Sequence, residues 1–160
     1  MAKKKKNNVV RLLESRKVTH TVFTLPTEKL GAEETARQLG MSPSVVFKTI
    51  VFTRVGKGKA ILAVIPGNKE VNPKAVARAL GEKKVRLTTQ AEAERLTGLQ
   101  AGGISPLALI NKGFDVVLDD SAEGLGEIHI SGGERGVNVR LPVKAFCDLT
   151  RAQFAPLTDA

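Results

Sequence analysis

The chain has 160 residues, 42% hydrophobic and 26% charged, which is the balance of a soluble globular protein able to bury one full core. Its longest purely apolar run, Ala60 to Ile65, is far too short to span a bilayer, and its single cysteine excludes an internal disulfide. The net charge is +9, of which Lys3 to Lys6 supply four, and the remaining excess of +5 points to a polyanionic partner.

Residues 1–7 read as a solvated, disordered basic arm, followed by a single domain over residues 8–160. Asn8 to Arg16 carries Val9, Leu12 and Leu13 at helical spacing and opens that domain with a helix. Val18 to Leu25 alternates as a strand, and Ala32 to Leu39 is helical with Gly40 as its stop. Ser42-Pro43-Ser44 starts a short helical turn. Residues 45–52, VVFKTIVF, follow as a strand with both faces covered.

Gly56-Lys57-Gly58-Lys59 turns that strand into a hairpin with Ala60–Ile65. Asn72-Pro73 opens a helix that runs to Leu80 and closes at Gly81. Lys84 to Leu87 is a short strand. Thr89 and Glu92 form a capping box for a helix ending near Gly98. Phe114 to Leu118 is a buried strand. Ile128–Ser131 and Val137–Leu141 flank a glycine-rich turn as a second hairpin, and Pro142 to Leu149 forms the last helix. Interleaved helices and strands with two antiparallel hairpins predict a mixed α/β (α+β) architecture.

Three places carry candidate chemistry. Lys48 sits on an apolar strand face with Val46, Ile50 and Phe52, where burying an unpaired ammonium is costly. Its amine either emerges at a strand end or points into a polar pocket, and the residues alone leave both open. Gly102-Gly103-Ile104-Ser105-Pro106 is either a tight connection or a loop offering N–H groups to an ester carbonyl or phosphate. Ser131-Gly132-Gly133-Glu134-Arg135-Gly136 needs its glycines for a hairpin turn, and Arg135 adds a cation suited to phosphate or carboxylate.

Glu127, His129 and Ser131 share a strand face, but no nucleophile elbow accompanies them, which disfavours a serine triad. His20 reads as a packing residue, and Cys147 as a core or half-buried helical thiol without a local cation to activate it. The CxxC and HExxH spacings are absent, so no metal or cofactor is expected. The N-terminal lysines precede no apolar stretch, so a cytoplasmic protein without a secretory signal is expected. With no Trp or Tyr and six Phe, contact with the backbone of a folded RNA fits better than base stacking.

Val46-Phe47-Lys48-Thr49, Gly102-Gly103-Ile104-Ser105-Pro106-Leu107 and Ser131-Gly132-Gly133-Glu134-Arg135-Gly136, in this order, resemble the YbaK family of bacterial Cys-tRNA(Pro) deacylases. That family is similar to the editing domain inserted in prolyl-tRNA synthetases. The resemblance runs from about Val9 to about Phe154. It implies a mixed, partly barrel-like β-sheet with flanking helices and metal-free hydrolysis of the ester joining a wrong amino acid to tRNA. It places the family's lysine and threonine at Lys48 and Thr49. Its glycine loop falls on Gly102, Gly103, Ile104, Ser105 and Pro106, and its pocket serine on Ser131. The sequence departs from the family at Leu25 and Leu30, where aromatics are usual, and at Asn138, where an acid is usual.

The resemblance further implies a substrate-assisted route, in which the cysteinyl thiol attacks its own carbonyl. The backbone N–H groups of Gly102 and Gly103 would serve as oxyanion donors, Lys48 as an anchor for the tRNA terminus and Ser131 as a partner of the aminoacyl group. Misacylated tRNA, tRNA(Pro) first, is the implied substrate, with prolyl-tRNA synthetase as an implied partner. Two other readings remain: a water-using deacylase for another small residue, and a non-catalytic tRNA- or synthetase-binding module.

Overall fold

The computed structural model describes residues 7–56 and 58–159. The lysines of the expected basic arm, and Lys57 within the Gly56–Lys59 turn, lie outside the described residues. Asn7, which the sequence reading assigned to the arm, belongs to the fold. Its side chain caps the first helix by accepting from the Val10 N–H, and it donates to the Gly132 carbonyl at 2.9 Å.

The helices are α1 (Asn8–Ser15), α2 (Ala32–Leu39), α3 (Pro73–Ala79), α4 (Gln90–Thr97) and α5 (Val143–Thr150). Their ends follow local chemistry. Asn72 accepts from the N–H groups of Lys74 and Ala75, with Pro73 in the first turn where no N–H is missed. Thr89 and Glu92 complete the reciprocal capping box, and the Arg86 guanidinium bonded to Glu92 holds that carboxyl down at about 2. Further 3-10 turns cover Pro43–Val45, Pro106–Ala108 and Asp120–Gly124.

Strands β1 (Thr21–Thr24), β6 (Glu127–Ser131) and β7 (Val137–Pro142) form a three-stranded antiparallel sheet in the order β1-β7-β6. Strands β2 (Phe47–Arg54), β3 (Ile61–Pro66), β4 (Val85–Leu87), β5 (Asp115–Asp119) and β8 (Gln153–Ala155) form a mixed sheet in the order β4-β2-β3-β5-β8. Both expected hairpins are present as the antiparallel pairs β2–β3 and β6–β7, while β3–β5 and β5–β8 are parallel. The strand expected from Val18 is confined to Thr21–Thr24, because pairing with β7 extends only over those four residues.

The sheets do not close into a barrel, which corrects the partly barrel-like expectation. Among the described residues they are joined by one isolated parallel bridge, Val46 to His129, rather than by a ladder.

Strand alternation divides the core. Leu62, Val64, Val116 and Leu118 of the mixed sheet meet Ile128, Ile130, Val139 and Leu141 of the smaller one. Ile61, Ala63, Ile65 and Val117 pack on the opposite face beneath Val76 and Ala77 of α3. The mixed sheet is thus covered on both faces, and every residue of β3 is buried.

Asp119, 3% exposed, ties the C-terminal segment to this core. Its Oδ1 accepts from the Leu157 N–H at 2.9 Å, and its Oδ2 from the Ser121 hydroxyl at 2.6 Å. Asp119→Ala would leave the Leu157 N–H buried without a partner, and is expected to lower unfolding free energy by ~2–4 kcal/mol in urea denaturation. Ser121→Ala, which removes one bond from outside the core, should cost about 1 kcal/mol.

Candidate active site

A pocket of ≈ 260 Å³ opens beside the Val46–His129 seam. Its walls come from the strap between β1 and α2 (Leu25, Pro26, Glu28, Lys29, Leu30, Gly31), from Ala32 and Thr35 of α2, and from Val46 to Thr49. Ala101, Gly102 and Ile104 of the glycine loop and Ser131, Gly136, Val137 and Asn138 of the β6–β7 hairpin complete them. The volume lies just below the roughly 300–1,000 Å³ of drug-sized sites, which suits a small acyl group better than a whole nucleotide.

Lys48 resolves both of its alternatives at once. It stands at the N-terminal end of β2, half-buried, and it lines the pocket. Its Nζ donates to the Gly67 carbonyl at 3.3 Å. Gly67 is itself held by N–H bonds to Val46 O at 2.8 Å and Pro43 O at 3.1 Å, so the acceptor beneath the ammonium is fixed. One carbonyl leaves the other two ammonium protons available. Thr49 points to the other strand face yet also borders the pocket, and its Oγ1 is shut off from solvent without a hydrogen bond among the described residues.

The two glycine-rich stretches pack against each other. A side chain at Gly103 would sit 2.7 Å from the backbone of Glu134, so only glycine permits this approach. Arg135 Nε donates to the Ala101 carbonyl at 2.7 Å and locks the loops together. Gly136 (φ +89) lets the Leu25 N–H reach its carbonyl at 2.8 Å, pinning the strap to the hairpin. Lys29 Nζ donates to Gln90 Oε1 at 2.6 Å and fastens the strap's other end to α4.

Of the residues singled out by sequence, Lys48, Thr49, Leu25, Leu30, Gly102, Ile104, Ser131 and Asn138 line the pocket together. The others do not. Gly103 spends its N–H on Gln100 O at 2.9 Å, which removes it from the expected oxyanion donors. Ser105 is fully buried and caps the Pro106–Ala108 turn through the Leu107 N–H, and Pro106 is buried in that turn. Arg135 braces the loop, and its Nε is not the free anion contact the sequence reading gave it. Gly102 makes no hydrogen bond through its N–H among the described residues and is the glycine of this loop that lines the pocket.

His129 and Ser131 share a face of β6 as alternation required, yet the histidine bonds Asn138 instead of the serine. His129 Nδ1 and Asn138 Oδ1 lie 3.2 Å apart, while Ser131 Oγ accepts from the Gly133 N–H at 3.1 Å. Sequence reading missed that pairing and the strap of residues 26–31. Pro26 and Gly31 punctuate the strap, but nothing local shows what it covers.

His20 is half-buried, with Nδ1 2.7 Å from the Val18 carbonyl, away from the pocket. Cys147 is half-buried against the core, and burial followed by the Asp148 charge pushes its thiol above the usual range. Among the described residues no cluster of three His, Cys, Asp or Glu side chains could hold a metal ion, and no helix is long and apolar enough to cross a membrane.

Residues 27–149 match the aminoacyl-tRNA editing domain family. Over 163 aligned residues, 99% of this chain and 98% of the relative, the sequence is 38% identical to an Enterococcus faecalis protein named "Putative Cys-tRNA(Pro)/Cys-tRNA(Cys) deacylase EbsC". It is 32% identical to the proline–tRNA ligase of Thermotoga neapolitana over 124 residues, covering 73% of this chain but 21% of the ligase. A solved structure described as "a putative trans-editing enzyme for prolyl tRNA synthetase" aligns with a TM-score of 0.80 and 26% identity, over 98% of this chain and 100% of that one.

His129 is 2% exposed, and burial, with Arg140 opposing protonation further, holds its pKa below 6.5 against the smaller upward pull of Asn138 and Glu127. The unfolded chain therefore binds this proton more tightly than the folded one. Stability should be full above pH 6.5 and fall as pH drops from 6.5 through the lower folded value. Urea midpoints measured from pH 7.5 to 5 should show this loss, and His129→Asn should make the midpoint less dependent on pH over that range.

Proposed function

Because the chain belongs to the aminoacyl-tRNA editing domain family, we propose that it is a hydrolase that acts in trans on misacylated tRNA, with cysteinyl-tRNA(Pro) as its first substrate. The observation that carries this reading is the Lys48 ammonium at the end of an apolar strand, in one small pocket with Gly102 and Ser131. The full-length match to the Enterococcus faecalis relative supports the choice of substrate. The match to one segment of proline–tRNA ligases supports prolyl-tRNA synthetase as a partner, and charged tRNA makes the cytoplasm the place of action.

An aminoacyl ester is already activated, so positioning and charge stabilisation suffice. The thiolate of the bound cysteinyl group attacks the ester carbonyl carbon. The tetrahedral intermediate collapses with cleavage of the bond to the ribose oxygen, which takes up a proton. A four-membered thiolactone leaves, and water opens it to free cysteine. The pocket contributes donors aimed at the oxygen where charge develops. Gly102 N–H and the Ser131 hydroxyl face the acyl group, and Lys48 anchors the terminal ribose or phosphate while its charge favours the thiolate.

A second reading rests on Leu25, Leu30 and Asn138, which make their own positions in the lining aliphatic or uncharged. They favour a small acyl group of another kind, cleaved by water. The thiol-bearing ester alone can assist its own cleavage, so a panel of cysteinyl-, alanyl- and seryl-tRNA(Pro) separates the two. Wild type should release cysteine fastest. Lys48→Ala should lower that rate ~100-fold or more with an unchanged melting temperature, and undiminished release would remove Lys48 from the mechanism. Cys147→Ala should retain wild-type deacylation, since its thiol is held protonated away from the pocket.

A further inference from the structure

We infer that His129 is a positioning residue for this pocket: its Nδ1–H holds the Asn138 side-chain oxygen, and thereby turns the Asn138 amide N–H groups toward the aminoacyl group. The inference rests on the deacylase reading and deepens it by assigning polarity to one wall of the site.

The pairing follows from register. Asn138 lies opposite Ser131, and His129 opposite Arg140, so His129 and Asn138 are diagonal neighbours on one sheet face. They are 2% and 4% exposed, and their Nδ1 and Oδ1 atoms are 3.2 Å apart. A neutral imidazole carries one N–H. Placed on Nδ1, the proton meets the amide oxygen. Placed on Nε2, it would leave two lone pairs facing each other across the same gap. The first arrangement also accounts for Nε2, which is buried without a partner and then needs to shelter only a bare lone pair.

The ring has little freedom to do otherwise. The Phe23 ring lies 5.3 Å away at 47°. Arg140 and Glu127, the charged neighbours on this face, approach each other at 3.7 Å, and Arg140 also covers Phe23 and donates to Thr21 Oγ1. Burial favours the uncharged ring.

The bond from His129 takes one of the two lone pairs of the Asn138 oxygen and fixes the amide, which leaves its N–H groups as the donors it can offer. Its Nδ2 makes no hydrogen bond among the described residues, and the residue lines the pocket. Ser131, directly opposite, already accepts from Gly133 and has its hydroxyl proton to give. The wall therefore presents adjacent N–H and O–H donors to a carbonyl oxygen or side-chain heteroatom of the aminoacyl group. An acid at position 138 would present acceptors instead.

Asparagine places an amide N–H where histidine has Nδ1, whereas phenylalanine keeps the ring's bulk and removes the donor. His129→Phe should lower kcat/KM for cysteinyl-tRNA(Pro) about tenfold or more, and His129→Asn should restore most of it, with folding of both checked by melting temperature. Long-range 15N–1H spectra of the wild-type imidazole should show the proton on Nδ1. Undiminished kcat/KM in His129→Phe, equal loss in two folded variants, or a proton on Nε2 would each overturn the inference. Should wild type cleave no misacylated tRNA, the deacylase reading fails by itself, and the imidazole spectrum still decides the His129–Asn138 pairing.

Discussion

The Val46–His129 bridge is the constraint on which the site depends. Among the described residues it is the one backbone bridge between the mixed sheet and the three-stranded sheet, which otherwise meet through their apolar faces. The pocket opens beside it. Lys48 and Thr49 leave the seam on one side, and Ser131 and Asn138 on the other. A continuous ladder at this place would close the sheets and fill the gap with paired backbone. A single bridge fixes the distance between the walls while leaving the pocket open.

Those walls are held by backbone contacts more than by side-chain packing. Gly103 lets the loop lie on the Glu134 backbone, Arg135 bonds Ala101, and Leu25 bonds Gly136. The motif residues thus divide into those that meet the pocket and those that hold it in shape. Gly102 and Ser131 are of the first kind, and Gly103, Ser105, Pro106 and Arg135 of the second. A substitution in either group would damage activity, but only the second would be expected to damage the loop packing as well.

This division also marks what the sequence could tell. Helix ends were legible because their causes lie within four residues: Thr89 with Glu92, Asn72 with Pro73, Gly40 after Leu39. The hairpins were legible from glycine turns between alternating runs. The split into two sheets was not, because β1 finds β7 across most of the chain, as Thr21 meets Arg140. Strand β8 escaped notice because it is three residues long and is secured through Asp119, far away in sequence. In the site, motif spacing marked Lys48, Gly102 and Ser131, yet a motif does not say which atoms face outward. The N–H of Gly103 looked equivalent to that of Gly102 until its bond to Gln100 was seen. The His129–Asn138 pair needed the β6–β7 register, which no local pattern encodes.

The polar atoms left unsatisfied at the seam connect stability to function. A buried hydroxyl without a partner costs roughly 1–3 kcal/mol, and Thr49 Oγ1 carries that cost while lining the pocket. The chain tolerates it because β3 and its neighbours pack a dense apolar core on both faces of the same sheet. In the proposed reading the site supplies positioning and charge stabilisation in place of a nucleophile of its own. Lys48, Gly102, Ser131 and Asn138 line the pocket, and on that reading each would turn a hydrogen-bond donor toward the carbonyl as it becomes an oxyanion.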